Sequence, residues 1–142
     1  MADDRAKVGV GLLIFKDGKL LLAERKSDTH AGGEYAGPGG HVEYGETLEE
    51  CAIRETREEC GIEITNVRVV AFGTIFSWHP YHYLAIGIAA DWKSGDPQNL
   101  EPHKRTDWEW YSLDALPSPL IAGDKECLDA MKTGTMYFGT LR

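Results

Sequence analysis

Apolar positions in the first part of the chain predict a β-hairpin. Residues 8–15 are apolar and rich in β-branched side chains, residues 20–23 are apolar again, and Lys16-Asp17-Gly18 between them has the composition of a tight turn. Neither run alternates between apolar and polar positions. We therefore expect both faces of this hairpin to be covered by other parts of the protein.

The next segment is polar and rich in glycine. Residues 26–45 contain six glycines, which is too many for a helix or a strand. Loops longer than about 15 residues are uncommon in compact domains unless they serve a function. The pattern predicts a long loop over residues 26–45 that contributes to a functional site.

A helix is predicted directly after this loop. Thr47 and Glu50 have the spacing of a capping box, in which each side chain accepts a hydrogen bond from the other residue's backbone amide. Gly61 supplies the left-handed conformation that ends many helices. We expect a helix over residues 48–60.

The rest of the chain predicts further strands and a second helix. Apolar, β-branched and aromatic residues indicate strands at 67–76, 83–90 and 108–111, with a polar segment over 92–107. Residues 120–132 have apolar positions at helical spacing. Because 142 residues is a common size for one domain, we expect residues 1–142 to form a single domain of the α+β class.

The charge balance narrows the classes of partner. There are 15 Lys and Arg residues against 23 Asp and Glu residues, a formal net charge of −8, which disfavours a nucleic-acid duplex or an anionic membrane surface. An anionic substrate would then need metal ions. No apolar run reaches 18 residues and the first residues do not resemble a signal peptide, so we expect a cytoplasmic protein without membrane contact. Its three cysteines are expected to be reduced thiols.

Three glutamates fall on one face of the predicted helix. Glu55, Glu58 and Glu59 are separated by steps of three and four residues, so their carboxylates project together and repel one another unless a positive charge lies among them. A divalent cation such as Mg²⁺ meets that need and is usually held by carboxylates together with substrate phosphates. Arg54 can pair with Glu50 or Glu58 and hold the glutamate rotamers. The alternative is a solvated acidic helix face without function.

The residues around these glutamates match a known motif. The chain reads Gly40-x5-Glu46-x7-Arg54-Glu55-Thr56-x-Glu58-Glu59-x-Gly61-Ile62 after Pro38-Gly39. This resembles the signature of the Nudix hydrolase family, and the order of hairpin, glycine loop, helix, strands and helix resembles the whole Nudix domain. The resemblance implies an α/β/α sandwich with a mixed β-sheet, a loop-helix-loop box and a C-terminal helix.

The resemblance also implies roles for the acidic residues. It implies Mg²⁺, with Mn²⁺ as a possible substitute, bound by the carbonyl of Gly39 and by Glu55, Glu58 and Glu59. Relatives often bring one more acid to the metal from a later loop, which is Glu101 here, with Asp107 as the alternative. The implied catalytic residues are Glu55 as general base, Glu58 as metal ligand and Arg54 as the residue that orients them, whereas Glu46 at the helix entrance has a structural role.

Five residues are candidates for binding substrate. By resemblance, Arg25 contacts phosphates, although it could also be a surface charge, and His41 either donates to a phosphate oxygen or is simply exposed. Trp78 and Tyr81 lie near a turn between two strands and could stack on a nucleobase, while Phe76 and Tyr83 are assigned to packing. Tyr35 is the fifth candidate. Trp108 and Trp110 share one strand face and are expected to anchor the core or a subunit contact.

The sequence departs from the family pattern at two positions. Thr56 replaces an aliphatic residue and can pack if its hydroxyl bonds a backbone carbonyl one turn earlier. Gly37 stands before Pro38 where relatives usually carry Leu or Phe that walls the substrate pocket, so a base preference does not carry over.

The resemblance implies Mg²⁺-dependent hydrolysis of a nucleoside diphosphate linked to another group. Tyr81-His82-Tyr83, Asn99-Leu100-Glu101-Pro102 and Trp108-Glu109-Trp110 resemble the small, nucleotide-sanitising nucleoside triphosphate pyrophosphatases of the family. This implies, as the preferred reaction, conversion of a (deoxy)nucleoside triphosphate, a small-molecule substrate, to the monophosphate and pyrophosphate. ADP-ribose or a prenyl diphosphate are alternative substrates, because the motif determines the chemistry and not the leaving group. A nucleotide sensor without turnover is the alternative from another class, and a homodimer is possible.

Overall fold

The computed structural model describes residues 5–29, 31–78 and 80–142. Within these residues the chain forms eight strands and two helices, which run in the order β1 (Lys7–Lys16), β2 (Lys19–Glu24), β3 (Tyr35–Ala36), β4 (Gly39–His41), α1 (Leu48–Cys60), β5 (Glu63–Ile75), β6 (Tyr83–Ser94), β7 (Glu109–Ser112), α2 (Asp124–Thr133) and β8 (Tyr137–Leu141).

The strands form one mixed sheet. Its order is β3-β2-β1-β6-β5-β8, with β4 paired to β1 and β7 paired to β2. The pairs β1–β6 and β5–β8 are parallel, and the remaining pairs are antiparallel. Strand β1 changes its neighbour along its length, because it pairs with β2 at Phe15–Lys16 and with β4 at Gly9–Gly11. The glycine segment thus joins the sheet through β4, beside the part of β1 that β2 does not cover.

The two helices cover opposite faces of the sheet. Leu12 and Ile14 of β1 share a buried cluster with Cys51 and Ala52 of α1. Leu13 belongs to a second cluster that contains Cys127 and Ala130 of α2. Because successive residues of a strand point to opposite faces, this division places one helix on each side of β1 and confirms the α/β/α sandwich and the mixed sheet.

Helix α1 confirms the predicted boundaries at both ends. Thr47 Oγ1 accepts a hydrogen bond from the Glu50 amide at 3.0 Å, and Glu50 Oε1 accepts one from the Thr47 amide at 3.3 Å. Gly61 ends the helix with a φ angle of 69°. The buried Thr56 hydroxyl donates to the Ala52 carbonyl one turn earlier, at 2.7 Å, as its position in the motif requires. Neither α1 nor α2, the helices of the described residues, is long and apolar enough to cross a membrane.

Other boundaries differ from the predictions. Residues 26–45 are not wholly a loop, because the short strands β3 and β4 lie within them. Strand β6 continues to Ser94 in the segment predicted to be polar and irregular, and β8 was not predicted. Helix α2 begins at Asp124 rather than near residue 120, because the preceding residues are held in an extended conformation. There, the Ile121 amide donates to the Tyr35 carbonyl and the Tyr35 amide donates to the Pro119 carbonyl, both at 2.8 Å.

The packing agrees with the predictions for the tryptophans and cysteines but not for Phe76, which was assigned to packing and is 37% exposed with its ring stacked on His82. Trp108 is buried and Trp110 packs against the same cluster as α1, so both serve the core. All three cysteines are buried free thiols. A single domain over residues 1–142 stays a prediction.

Candidate active site

Strand β4 brings glycine backbone close to the first helix. The Gly39 amide donates to Glu59 Oε2 at 3.0 Å. A side chain at Gly40 would overlap the Glu55 carboxylate, and one at Gly39 would overlap the Val10 carbonyl of β1. Glycine is therefore needed at position 39, where the overlap is with backbone, whereas a side chain at position 40 would require the Glu55 carboxylate to move away from β4. The predicted proximity of this loop to the glutamates is confirmed.

Arg54 organises the acidic residues at the start of this face. Its Nε and Nη2 donate to the two oxygens of Glu46 at 2.6 and 3.0 Å, and its Nη1 donates to Glu55 at 2.9 Å and to Glu58 at 3.2 Å. The pairing with Glu58 was predicted. The alternative partner Glu50 instead belongs to the capping box, and Glu46 takes its place.

These contacts perturb the protonation of both partners. Hydrogen bonding to Arg54 lowers the pKa of Glu46 to about 2, and hydrogen bonding to Glu46 raises the pKa of Arg54. Burial raises the pKa of Glu55. Burial also raises the pKa of Glu59, to about 8, and repulsion by the neighbouring Glu55 carboxylate acts in the same direction. Of the three glutamates on this face, Glu58 is the most exposed, with more than half of its side chain accessible.

A second arginine contacts the other end of the acidic face. Arg105 is 5% exposed, and its Nη2 donates to Glu59 Oε1 at 2.8 Å while its Nη1 donates to Glu101 Oε1 at 3.0 Å. Glu101 also accepts from Lys104 Nζ at 3.2 Å. Of the two acids proposed for this loop, Glu101 is thus connected to the site. Asp107 is exposed and accepts a hydrogen bond from Asn99 instead, at 3.4 Å.

A cavity of about 580 Å³ adjoins these residues. Among the predicted site residues, those that line it are Gly39, Glu59, Arg25, His41, Trp78 and Tyr81. Three cations, Arg25, Lys104 and Arg105, also line the cavity. Of these, Arg105 contacts Glu59 directly. Aromatic rings form another part of the wall, where Tyr83 lies edge-on to Trp78 with 5.4 Å between ring centroids.

The individual substrate candidates have different surroundings. His41 is exposed at the end of β4 and its Nε2 lies 2.9 Å from the Tyr83 hydroxyl, so it belongs to the cavity wall rather than to a free loop. Tyr81 is 49% exposed. Tyr35 is absent from the cavity wall as described, and its ring lies edge-on to Tyr111 at 6.0 Å, so the prediction that it contacts substrate is not supported.

The acidic residues have the chemistry of a site for a hard divalent cation, but they are not gathered around one point. In the described part of the chain, no three acidic, histidine or cysteine side chains converge so as to hold an ion. Instead, the Glu58 carboxylate lies against Arg54 and the Glu59 carboxylate against Arg105. Carboxylate oxygens beside an accessible glycine backbone are nevertheless the donors that Mg²⁺ prefers. The donor set fits the ion, and its binding stays a prediction.

Comparison with known proteins decides the family. The family described as the NUDIX domain matches residues 5–131, which include β1, the glycine segment, α1 and most of α2. The chain belongs to the Nudix hydrolase family. A solved structure of a MutT Nudix hydrolase from Burkholderia pseudomallei covers 89% of this chain and 98% of its own, with a TM-score of 0.81 and 31% sequence identity. Both the predicted family and the predicted fold are confirmed.

Curated relatives of this Nudix domain are longer proteins. NAD-capped RNA hydrolase NudC from Pseudomonas aeruginosa is 38% identical over 113 residues, which are 78% of this chain and 37% of that protein. NudC from Chromobacterium violaceum is 42% identical over 108 residues, which are 75% of this chain and 38% of that protein. The chain thus spans less than two-fifths of the length of the curated relatives it matches.

Two residues of this Nudix site were not predicted from the sequence. Arg105 was overlooked because it lies in an irregular polar segment, and Asp124 because it was placed inside a helix rather than at its start. Asp124 is buried at the cavity floor, where its Oδ2 accepts a hydrogen bond from the Gly37 amide at 3.0 Å. One available signal was the glycine in apolar strands, at Gly11 and Gly87, because glycine within a strand often marks a close approach. These two glycines are paired across β1 and β6, and a side chain at either would meet α2, at Asp124 Oδ1 or Cys127 Sγ, so they let α2 approach the sheet at the cavity.

Proposed function

We propose that this Nudix domain hydrolyses a nucleoside diphosphate linked to another group, and that its preferred substrate is a (deoxy)nucleoside triphosphate. The products are the nucleoside monophosphate and pyrophosphate. The observation that carries the proposal is the continuity of one cavity, which extends from Glu59 and Gly39 to the ring of Trp78. Such a cavity offers the acidic and glycine end to a diphosphate and the aromatic end to a base.

The charges of the lining residues support this orientation. Arg25 and Lys104 lie on the cavity wall, and cations of this kind bind phosphate oxygens. Trp78 and Tyr81 present aromatic rings, on which any nucleobase can stack. A substrate with a charged and an aromatic end would therefore bind in one direction.

Glu55, Glu58, Glu59 and the carbonyl of Gly39 would hold Mg²⁺, with Mn²⁺ as a substitute. The bound ion neutralises phosphate charge and makes water a stronger acid at neutral pH. We assign Glu55 as the general base that takes a proton from the attacking water, since only 12% of its side chain is exposed and burial raises its pKa. Arg54 orients Glu55 and Glu58 through its hydrogen bonds. The water oxygen forms the new bond to phosphorus as the bridging P–O bond breaks.

The names of the curated relatives favour a second candidate. NudC proteins are named for NAD-capped RNA, in which a diphosphate also joins two groups. Because the matched region is a minor part of those proteins, NAD or an NAD-capped RNA end is the second candidate and not the first. ADP-ribose and prenyl diphosphates remain further alternatives. A sensor without turnover is disfavoured because all the glutamates of the motif are present.

A substrate panel tests this proposal. The purified chain is incubated with Mg²⁺ and, separately, nucleoside triphosphates, NAD, ADP-ribose and a prenyl diphosphate, and the products are resolved by chromatography. We expect monophosphate and pyrophosphate from a nucleoside triphosphate, and no turnover after addition of EDTA. Exclusive turnover of NAD would favour the second candidate. Release of orthophosphate alone, or no turnover of any member of the panel, would contradict the proposal.

Glu58→Gln tests the assignment of the acidic residues. Glu58 is mostly exposed and makes no core contact, so its loss should leave the fold intact. We expect kcat to fall by about 100-fold or more, because removal of even an indirect metal partner costs about 10- to 100-fold. Arg57→Gln on the same helix is the matched control, since Arg57 pairs only with the surface residue Glu63 in the described contacts.

A cytoplasmic location and a homodimer stay predictions.

A further inference from the structure

Arg105 is a buried cation that joins two acidic residues far apart in sequence. Its side chain is 6% exposed, and its two terminal nitrogens contact Glu59 of α1 and Glu101 of the loop before β7. A buried guanidinium requires such partners, because an unpaired charge in the interior is strongly unfavourable. The contacts therefore make the position of each acid dependent on the same arginine.

Several independent contacts hold Arg105 in place. The centre of its guanidinium lies 5.1 Å from the centroid of the Trp108 ring, whose Nε1 donates to the Glu59 carbonyl at 3.0 Å. Its own carbonyl accepts from Asn99 Nδ2 at 2.9 Å, and its backbone forms an isolated bridge to Arg25. A side chain supported in this way is a rigid partner for Glu59 rather than a mobile counterion.

The Glu59 carboxylate is consequently held from two sides. Oε1 accepts from Arg105 at 2.8 Å, and Oε2 accepts from the Gly39 amide at 3.0 Å. One contact comes from the loop before β7 and the other from β4, so together they determine the plane of the carboxylate. Because each carboxylate oxygen can accept about two hydrogen bonds, these two contacts leave acceptor capacity on both oxygens.

We propose that Arg105 is a positioning residue that orients Glu59 for the diphosphate end of the cavity, and that Glu101 acts on the site through Arg105. The part of this inference that concerns catalysis rests on the proposed function. It replaces the expectation that Glu101 binds the metal directly. In the structure Glu101 Oε1 accepts from Arg105 and Glu101 Oε2 accepts from Lys104. Both carboxylate oxygens are therefore engaged by cations of the protein itself.

The geometry explains why the cation is arginine. A guanidinium presents several N–H groups in one plane and can bond two carboxylates at once, whereas the single ammonium group of lysine acts as a point charge on a flexible stem. Lysine at position 105 would keep the charge and lose the bridge. Arg105→Lys therefore separates orientation from charge.

The test measures Mn²⁺ binding without substrate, by titration with detection of free Mn²⁺ by electron paramagnetic resonance. Wild type is compared with Arg105→Lys, Arg105→Gln, Glu101→Gln and the double variant Arg105→Gln/Glu101→Gln. We expect Arg105→Lys and Arg105→Gln to weaken Mn²⁺ binding by about tenfold, as is typical when partners of metal ligands are lost. Glu101→Gln should weaken it less, because Glu101 contacts Arg105 and not Glu59. Arg57→Gln, which removes an exposed arginine pair on the same helix, should bind Mn²⁺ as wild type does.

The double variant distinguishes the two roles of Glu101. If Glu101 acts through Arg105, the double variant binds Mn²⁺ as weakly as Arg105→Gln alone, because the second substitution has no contact left to remove. Effects of Arg105→Gln and Glu101→Gln that multiply would show that Glu101 acts independently and would overturn the inference. Should Arg105→Gln fail to fold, the Mn²⁺ affinities of Arg105→Lys and Glu101→Gln decide the inference. A loss of affinity in Glu101→Gln that exceeds the loss in Arg105→Lys would overturn it, and a smaller loss supports it. Wild-type Mn²⁺ affinity in Arg105→Lys, with only a lower melting temperature, would reduce Arg105 to a structural residue.

Kinetics supply the second readout and separate this inference from the proposed function. With the best substrate of the panel, Arg105→Lys should lower kcat by about tenfold and change KM by less than about twofold, because it disturbs a group near the reacting phosphate and not the aromatic end. If wild type hydrolyses nothing but the Mn²⁺ pattern holds, the proposed function fails and the positioning role stands. Absence of Mn²⁺ binding in wild type would overturn the positioning role as well.

Discussion

The buried carboxyl of Asp124 should make the stability of this protein depend on pH in a direction that most carboxylates do not. Asp124 is 7% exposed, at the start of α2, and burial raises the pKa of its carboxyl to about 7 despite the hydrogen bond from the Gly37 amide. An aspartate in an unfolded chain has a pKa of about 3.9. The folded protein therefore binds this proton more strongly than the unfolded chain does.

The sign and size of the effect follow from this difference. The protonated carboxyl contributes its stability fully below about pH 4, and that contribution is lost as the pH rises to about 7. Each pH unit in this window lowers the free energy of unfolding by about 1.4 kcal/mol, so the total is at most about 4 kcal/mol. Asp124→Asn keeps the shape and an acceptor for the Gly37 amide but does not titrate, so the variant should gain stability relative to wild type as the pH rises.

Urea denaturation followed by tryptophan fluorescence measures this gain at pH values from about 5 to about 8, where other titrations cancel between the two proteins. Asp129→Asn is the matched control, because Asp129 is an exposed acid on the same helix. The stability of this control relative to wild type should change far less with pH. A stability difference between Asp124→Asn and wild type that stays constant over this range would refute the reasoning.

Three further predictions concern other features of the structure. Thr56→Val removes a buried hydroxyl but keeps the volume, and the Ala52 carbonyl that loses this donor still accepts a hydrogen bond within the helix. Urea denaturation should show a free energy of unfolding lower by about 1 kcal/mol or less, and kcat should be unchanged. Gly37→Ala places a Cβ against the Leu12 carbonyl, so it should lower the free energy of unfolding by about 1–3 kcal/mol, and a stability equal to wild type would show that β1 yields easily. Tyr81→Leu removes a ring from the cavity wall and should raise KM for a nucleoside triphosphate by about tenfold without changing KM for a prenyl diphosphate. An equal rise for both substrates would contradict base stacking at Tyr81.

Helix α1 and its acidic face could be predicted because the relevant interactions are local. Thr47, Glu50 and Gly61 determine the helix ends through contacts within one turn, and the steps between Glu55, Glu58 and Glu59 determine their common face. The hairpin was predictable for the same reason, since Asp17 and Gly18 form its turn with positive φ angles. None of these features depends on a distant part of the chain.

Features that depend on distant contacts were not predictable in this way. Strand β8 forms because it pairs with β5, which lies more than sixty residues earlier in the chain; the paired residues run from Phe72 with Tyr137 to Ile75 with Leu141. Its own sequence contains Gly139, which does not favour a strand. Strands β3 and β4 are short, and the two glycines of β4 reflect its close approach to β1 and α1 rather than loop structure. Periodicity cannot detect a two- or three-residue strand whose partner lies elsewhere.

The same distinction explains which site residues were found. A motif identifies Glu59 but says nothing of Arg105, whose role arises only when the segment before β7 folds back onto α1. It also describes position 37 by what relatives carry, whereas here the approach of the Leu12 carbonyl excludes a side chain. The backbone amide of Gly37 donates to Asp124, so a polar contact lies at the cavity floor where relatives are expected to have an apolar wall.

The arrangement of arginines bears on how an acidic chain can accept an anionic substrate. The net charge of −8 disfavours polyphosphates on average, but attraction over a few ångströms depends on the groups that line the cavity. Arg25, Lys104 and Arg105 line it, whereas Glu46 and Glu55 are neutralised by Arg54 in bonds of 2.6 and 2.9 Å. The same holds on the wall, where Arg105 pairs with Glu59 and Lys104 pairs with Glu101. The carboxylates nearest the cavity are thus paired with cations instead of facing an anion alone, which is why the overall charge does not by itself exclude such a substrate.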